Sequence, residues 1–124
     1  LAITFCDVMS TDEVIAKLKR KPGVLYAALV PNMQGYARAQ AAKVNEIGIF
    51  TAASESFAKR NINCSIDESI ERFRPVVEAA KKDGVRIRAA ISCALGCPFE
   101  GKVAPAKVAE VAEKLDKLGV DDVV

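Results

Sequence analysis

The side chains in this sequence that could do chemistry are mainly uncharged amides and thiols. Asn32, Asn61 and Asn63 each combine a hydrogen-bond donor with an acceptor, so they could bind a carbonyl or a carboxylate group. Asparagine also tolerates left-handed and helix-capping backbone geometry. The three asparagines therefore have two interpretations from spacing alone, one as ligand contacts and one as turn-forming residues.

The sequence contains no histidine and four cysteines, which are Cys6, Cys64, Cys93 and Cys97. The lack of histidine excludes a Ser-His-Asp triad, a Cys-His dyad and any imidazole base or metal ligand within this sequence. Three residues separate Cys93 from Cys97, which differs from the two-residue spacing of redox and zinc pairs. The cysteines are interpreted as reduced, structural thiols, which favours a cytoplasmic location, or the mitochondrial matrix in a eukaryote.

The isolated charges are weaker candidates. Glu55 could act as an acid, a base or a ligand, and Lys59 with Arg60 could bind a phosphate or a CoA tail. The alternative interpretation is that all three are solvated charges on the protein surface. No glycine-rich phosphate-binding motif is present in the sequence. With 18 Lys and Arg against 16 Asp and Glu, the near-neutral charge gives no support for nucleic-acid binding. No apolar run is long enough to predict a membrane span.

Short apolar runs alternate with amphipathic stretches and predict the elements that position these residues. Strands are predicted at residues 1–5, 24–30, 46–50, 85–91 and 121–124. Helices are predicted to begin near Ser10, to cover 34–44, to begin at Ser65 with a Ser65–Glu68 capping box, and to begin at Pro105. Residues 51–60 are a loop or a short helix, and 92–101 are a loop. Pro75 is expected to kink its helix, and Gly84 to end it.

The alternation of strands and helices predicts one α/β domain over residues 1–124 with a parallel sheet. Two architectures fit. One is a segment of a (β/α)8 TIM barrel, and the other is a five-stranded doubly wound parallel sheet. Because the sequence begins and ends in predicted strands, we expect it to be a piece of a larger, incomplete barrel.

Three long sequence words carry a family resemblance. They are LVPNMQGY at 29–36, AASESFAKRNINCSIDES at 52–69 and SCALGCPFEGKV at 92–103. A fourth, KVAEVAEKLDKLGVDDV, lies at 107–123. With them, the chain resembles the 3-hydroxy-3-methylglutaryl-CoA lyase family of barrel metallolyases over residues 22–124.

The resemblance implies a (β/α)8 barrel, of which this chain would hold about strand 2 to strand 6. It implies cleavage of 3-hydroxy-3-methylglutaryl-CoA to acetyl-CoA and acetoacetate, with a divalent cation, Mg²⁺ or Mn²⁺, as Lewis acid. It implies an acyl-CoA substrate and allows a homodimer. Residue by residue, it makes Asn61, Asn63, Asn32 and Ser92 the expected substrate-binding residues, with Asn61 first.

The chain also departs from the family pattern. The family's metal ligands and its catalytic Arg lie in segments that this sequence does not match, so no catalytic or metal-binding residue is assigned here. The family often has Gly-Tyr where this sequence has Ala89 and Ala90, which leaves the identity of the acyl-CoA open. By itself the 124-residue chain is expected to be inactive. The alternative is a free-standing, non-catalytic α/β domain that derives from such a barrel and binds a ligand or partner.

Overall fold

A computed structural model describes residues 2–5 and 11–124, with side chains from residue 14 onward. The strands are β1 Ala2–Phe5, β2 Leu25–Leu29, β3 Glu46–Ala52, β4 Arg86–Ser92, β5 Gly96–Cys97, β6 Gly101–Lys102 and β7 Asp122–Val123. The helices are α1 Thr11–Lys17, α2 Met33–Ala41, α3 Glu55–Ile62, α4 Ile66–Asp83 and α5 Pro105–Leu118. Cys6, Ser10 and the loop expected between them lie outside the described residues.

The main sheet has the strand order β1-β2-β3-β4-β7, and every neighbouring pair is parallel. Each described strand therefore lies beside the next main-sheet strand along the chain, as in a barrel. A doubly wound sheet reverses its strand order at a switch point, where the ligand binds. The sequential order confirms the barrel segment and contradicts the doubly wound alternative, which sequence alternation alone could not separate from it.

The helices cover one face of the sheet. Ile47 and Ile49 of β3 and Ile87 and Ala89 of β4 belong to the same buried cluster as helix residues such as Val77. Successive strand residues point to opposite faces, so Gly48, Arg88 and Ala90 lie on the face away from the helices. In a barrel, that second face is the interior.

Several element ends follow the chemistry that the sequence predicts. The capping box is present: Ser65 Oγ accepts from the Glu68 N–H at 3.1 Å, and Glu68 Oε2 accepts from the Ser65 N–H at 2.8 Å. Gly84 ends α4 in the left-handed conformation, and Pro105 opens α5. Helix α4 continues through Pro75, so the kink stays a prediction. No described helix is long and apolar enough to cross a membrane.

Two loop predictions need correction. Residues 51–60 divide between the end of β3, which extends to Ala52, and the helix α3, so the short-helix option is right for the second part. The segment 92–101 is not simply a loop, because Gly96–Cys97 pairs antiparallel with Gly101–Lys102 in a small hairpin. Strands of two residues are too short to show any periodicity in the sequence.

A buried charge lies at the amino-terminal edge of the sheet. The Glu46 side chain is 1% exposed, and its carboxylate lies 3.3 Å from Arg86 Nε and 3.6 Å from Arg88 Nε. The two arginines also approach Asp122, at 3.7 and 3.4 Å. This cluster joins β3, β4 and β7 at the edge opposite the one where parallel α/β folds place their active sites.

Candidate functional site at the carboxyl edge of the sheet

The loops that follow β2, β3 and β4 all leave the carboxyl edge of the sheet, where barrel enzymes place their active sites. Asn32 follows β2 and caps α2, because its Oδ1 accepts from the Gly35 N–H at 2.9 Å. A Cβ at Gly35 would lie 2.9 Å from Pro31 Cδ, so the turn requires glycine there. The side-chain oxygen of Asn32 therefore has the capping role that one of its two interpretations predicts.

The turn after β3 is held by two side chains. Ser54 is buried and caps α3, with its Oγ accepting from the Phe57 N–H at 3.1 Å. Glu55 is more than a solvated charge, because its Oε2 accepts from the Ile66 N–H at 3.1 Å. That bond fixes the start of α4 against the start of α3.

Asn61 and Asn63 lie together at the carboxyl end of α3, and both are exposed. Asn63 is the helix C-cap with φ 52° and ψ 40°, a left-handed conformation that asparagine tolerates better than most residues. Among the described residues, no hydrogen bond engages either side-chain amide. The NINCS word thus presents two unengaged amides, held by a helix end and by the buried Cys64 that follows.

The β5–β6 hairpin packs onto α3. Glu100 Oε1 accepts from the Ser56 N–H at 2.7 Å. Hydrogen bonding to the Ser56 side chain, followed by that to the Ser56 backbone, holds the pKa of Glu100 below its usual value. The Phe99 ring lies 6.4 Å from the Phe57 ring, and the Arg60 guanidinium stacks over it at 4.2 Å. The loop after β4 is thereby tied to the helix that carries the two amides.

The thiols of this hairpin have different environments. Burial alone raises the pKa of Cys97, but hydrogen bonds from the Ser54 hydroxyl, the Phe99 and Glu100 backbone N–H groups and Cys93 outweigh it and lower that pKa. Burial, followed by the neighbouring Cys97, raises the pKa of Cys93. Cys93 has φ 62°, a left-handed conformation that is uncommon for a residue other than glycine or asparagine.

The structure brings some of the predicted site residues together and leaves others apart. Asn61 and Asn63 share one helix end, whereas Asn32 caps a different helix after β2. Ser92 ends β4 opposite Ala52, and its carbonyl accepts from the Ala53 N–H at 2.8 Å. Sequence reasoning missed Ser54 and Glu100, although each lies inside one of the three sequence words.

The described residues do not supply a metal centre. No group of three or more Cys, Asp, Glu or His side chains that could hold an ion occurs among them. The oxygen-rich shell that Mg²⁺ or Mn²⁺ prefers is therefore not formed by this part of the chain.

The sequential parallel sheet, covered by helices on one face and carrying the β5–β6 hairpin at its carboxyl edge, defines a segment of a (β/α)8-barrel protein. A protein-family model described as HMGL-like matches residues 3–124. The chain belongs to this family.

Individual relatives agree with that assignment. The chain is 55% identical over 109 residues to hydroxymethylglutaryl-CoA lyase of Pseudomonas mevalonii, a match that covers 88% of this chain and 36% of that relative. It is 52% identical over 111 residues to 3-hydroxy-3-isohexenylglutaryl-CoA/hydroxymethylglutaryl-CoA lyase of Pseudomonas aeruginosa, covering 90% of this chain and 37% of the relative. The chain thus spans a little over a third of the length of these curated relatives.

Solved structures show the same fold. The HMG-CoA lyase from Brucella melitensis has a TM-score of 0.90 and 51% identity, covering 92% of this chain and 40% of that one. An HMG-CoA lyase from Acinetobacter baumannii, solved in complex with coenzyme A and 3-methylmalate, has a TM-score of 0.85 and 28% identity, covering 92% and 37%. The resemblance inferred from the three sequence words is confirmed.

Proposed function

We propose that the protein cleaves the carbon–carbon bond of 3-hydroxy-3-methylglutaryl-CoA, releasing acetyl-CoA and acetoacetate. The observation that carries this proposal is the pair of unengaged amides, Asn61 and Asn63, displayed at the carboxyl edge of a barrel-type sheet. Amides can bind the carbonyl and carboxylate oxygens of such a substrate without titrating. The names of the relatives support the same reaction.

In this proposal, the described part of the chain binds and orients the acyl-CoA. Asn61 contacts a substrate oxygen, Asn63 supports it from the adjoining cap, and Asn32 and Ser92 line the neighbouring loops. The hairpin's contacts to Ser56 and Arg60 hold these loops in place, and Arg60 with Lys59 adds positive charge beside Asn61. Fixing polar groups in advance lowers the reorganisation that binding requires.

The reaction removes a proton from the substrate's tertiary hydroxyl and ends with protonation of the acetyl-CoA enolate. No described side chain is assigned to either proton transfer. Enzymes of this family are generally metal-dependent, and the choice of Mg²⁺ or Mn²⁺ is part of this proposal. In this proposal the described residues bind the substrate, and none of them is assigned as a metal ligand.

A second candidate substrate has a larger group at carbon 3. Ala90 alternates along β4 with Ala89, which is buried under the helices, so Ala90 lies on the opposite, interior face of the sheet. It is only partly buried and lies near the carboxyl end of the strand. A methyl side chain there leaves room for a longer substituent, and the relative from Pseudomonas aeruginosa is named for an isohexenyl substrate.

The test is a cleavage assay on the polypeptide purified from the organism that makes it, with Mg²⁺ or Mn²⁺ present. Acetoacetate release from 3-hydroxy-3-methylglutaryl-CoA supports the proposal. Faster cleavage of the isohexenyl substrate, reversed by Ala90→Tyr, supports the second candidate. Binding of acyl-CoA without cleavage of either substrate favours the alternative of a non-catalytic binding domain.

The setting of this activity is also proposed. We expect the protein to act in the cytoplasm, or in the mitochondrial matrix of a eukaryote; the relative from Bos taurus is named as mitochondrial and that from Danio rerio as cytoplasmic. A homodimer stays a prediction, which light scattering of the purified protein checks.

A further inference from the structure

We propose that Cys93 and Cys97 form a modification site, in which a hydroperoxide oxidises the two thiols reversibly to a disulfide. Both cysteines are free thiols in the structure. This proposal does not depend on the lyase activity, because it rests on the hairpin's own contacts. It revises the interpretation of these cysteines as purely structural.

The first argument is the set of donors around the Cys97 sulfur. Ser54 Oγ donates to Cys97 Sγ at 3.0 Å, and the Phe99 N–H donates to the same sulfur at 3.3 Å. Donors that converge on one sulfur stabilise negative charge there, and the thiolate is the form that reacts with peroxides.

The second argument is the position of Cys93. Cys93 packs against the small buried cluster that contains Cys97, so the structure places the two thiols in one cluster. Cys93 is partly exposed, whereas Cys97 is 5% exposed, so the proposal requires an oxidant as small as hydrogen peroxide. A resolving thiol next to a stabilised thiolate is the usual arrangement of a redox-sensitive pair.

The third argument is the backbone of Cys93. A positive φ of 62° is unfavourable for a residue with a Cβ, and such strain concentrates at functional positions. The left-handed conformation turns the chain directly after β4, and strand β5 then carries Cys97 into the cluster against which Cys93 packs. Cys64 offers a contrast, since it is 3% exposed, lies in the connection between α3 and α4, and has neither a second thiol nor the same donors among the described contacts.

The chemistry balances in two steps. Cys97 Sγ attacks one peroxide oxygen, the O–O bond breaks, and the sulfur becomes a sulfenic acid while water or an alcohol leaves. Cys93 Sγ then attacks the sulfenic sulfur, an S–S bond forms, and the sulfenic oxygen leaves as water with the proton from Cys93. The two thiols lose two hydrogens in total, and the hydroperoxide is the species reduced. A dithiol reductant reverses the change by exchange.

Oxidation would change the hairpin, because a disulfide sulfur is a far weaker acceptor than a thiolate. The hydrogen bonds from Ser54 and from the Phe99 N–H to Cys97 would weaken. Since Ser54 also caps α3, the change would reach the helix that carries Asn61 and Asn63.

The test treats the reduced polypeptide with limiting hydrogen peroxide, alkylates the remaining thiols and maps the peptides by mass spectrometry. We expect a Cys93–Cys97 cross-link that dithiothreitol removes. In Cys93→Ser, dimedone should trap a sulfenic acid on Cys97 at least about tenfold faster than on Cys64, because only Cys97 has stabilising donors. The control Cys64→Ser should form the cross-link at the wild-type rate.

Three results would overturn the proposal. One is a cross-link that joins Cys64 or Cys6 in place of the expected pair. Another is peroxide treatment that leaves Cys93 and Cys97 open to alkylation. The third is equal dimedone labelling of Cys64 and Cys97. Circular dichroism checks that each variant folds. If a variant fails to fold, the peptide map of the wild-type protein still decides the first two outcomes, because neither depends on a variant.

Discussion

The hydroxyl of Ser54 joins two loops that are 43 residues apart in the chain, because it donates to Cys97 Sγ at 3.0 Å. The same oxygen accepts from the Phe57 N–H and so caps α3. One buried side chain thus connects the end of β3, the start of α3 and the hairpin after β4. Through this connection, the loop with the thiols and the helix with the two exposed amides form one structural unit.

The first prediction concerns Ser54→Ala. Loss of the cap should lower the free energy of unfolding by about 1 kcal/mol, and loss of a donor to Cys97 should raise the pKa of that thiol. Urea unfolding measures the first effect, and the pH dependence of iodoacetamide labelling at Cys97 measures the second. The control is Ser65→Ala, which also removes a helix cap but removes no donor to Cys97. Equal labelling profiles for wild type and Ser54→Ala would refute the proposed role.

The second prediction concerns the capping box of α4. Ser65→Ala should lower the free energy of unfolding by about 1 kcal/mol. The bonds from Ser65 hold the pKa of Glu68 below its usual value of 4.5. A carboxyl with a lowered folded pKa contributes stability above the unfolded pKa, and this contribution is lost as the pH falls through the folded value. Urea unfolding from pH 7 to pH 3 should therefore show a smaller acid-dependent loss of the free energy of unfolding in Glu68→Gln than in wild type. Equal losses in the two proteins would contradict a stabilising role of the capping box.

The third prediction concerns alkaline pH. Burial, followed by the hydrogen bond and charge of Asp83, raises the pKa of Tyr36 from 10.0 to about 12. Because the folded state holds this proton more tightly, the stabilisation is present below pH 10 and is lost as the pH rises from 10 to about 12. Tyr36→Phe should lose less stability over that range in thermal unfolding. Identical alkaline profiles for both proteins would contradict the prediction.

The fourth prediction concerns the charge cluster at the amino-terminal edge of the sheet. Glu46→Gln should lower the free energy of unfolding by on the order of 2 kcal/mol, because the buried carboxylate that forms ion pairs with Arg86 and Arg88 loses its charge. The arginines are partly exposed and also approach Asp122, which limits the loss. Chemical denaturation measures the change, and Glu113→Gln on α5 is the surface control. A loss no larger than that of the control would show that the cluster contributes little.

Much of the fold follows from local sequence signals. The capping box at Ser65, the glycine at 84 and the proline at 105 each act within one helical turn, so their effects can be predicted from a few adjacent residues. The strand order cannot be predicted from such local signals, because it depends on how the successive strand–helix pairs pack side by side. Apolar runs predict that strands are buried, but they do not say which strands are neighbours.

The candidate site shows the same division. Asn61 and Asn63 come from a distinctive sequence word, and the structure places both at one helix end. The hairpin and its contacts through Ser54 and Glu100 could not be predicted, since those contacts join residues more than forty positions apart. Asn32 caps a helix through its side-chain oxygen, and its contact with substrate stays a prediction, because spacing alone does not separate these two uses of asparagine.

The fifth prediction concerns the two exposed amides. Asn61→Ala preserves the helix, and Asn63→Gly preserves the left-handed cap, so each removes an amide with little effect on the backbone. If these amides bind substrate, each variant should reduce kcat/KM for the acyl-CoA about tenfold or more, because one hydrogen bond to substrate is lost. The matched control is Glu113→Ala on α5, which should keep wild-type kinetics.

The most direct measurement is acetoacetate release from 3-hydroxy-3-methylglutaryl-CoA by the polypeptide purified from its source, with Mg²⁺ present, beside its Asn61→Ala variant. The account predicts cleavage by the wild-type protein and a reduced kcat/KM in the variant, with unchanged thermal unfolding. A folded wild-type protein that cleaves neither this substrate nor its isohexenyl analogue would contradict the proposed activity. Equal kcat/KM for the two proteins would contradict the binding role of Asn61.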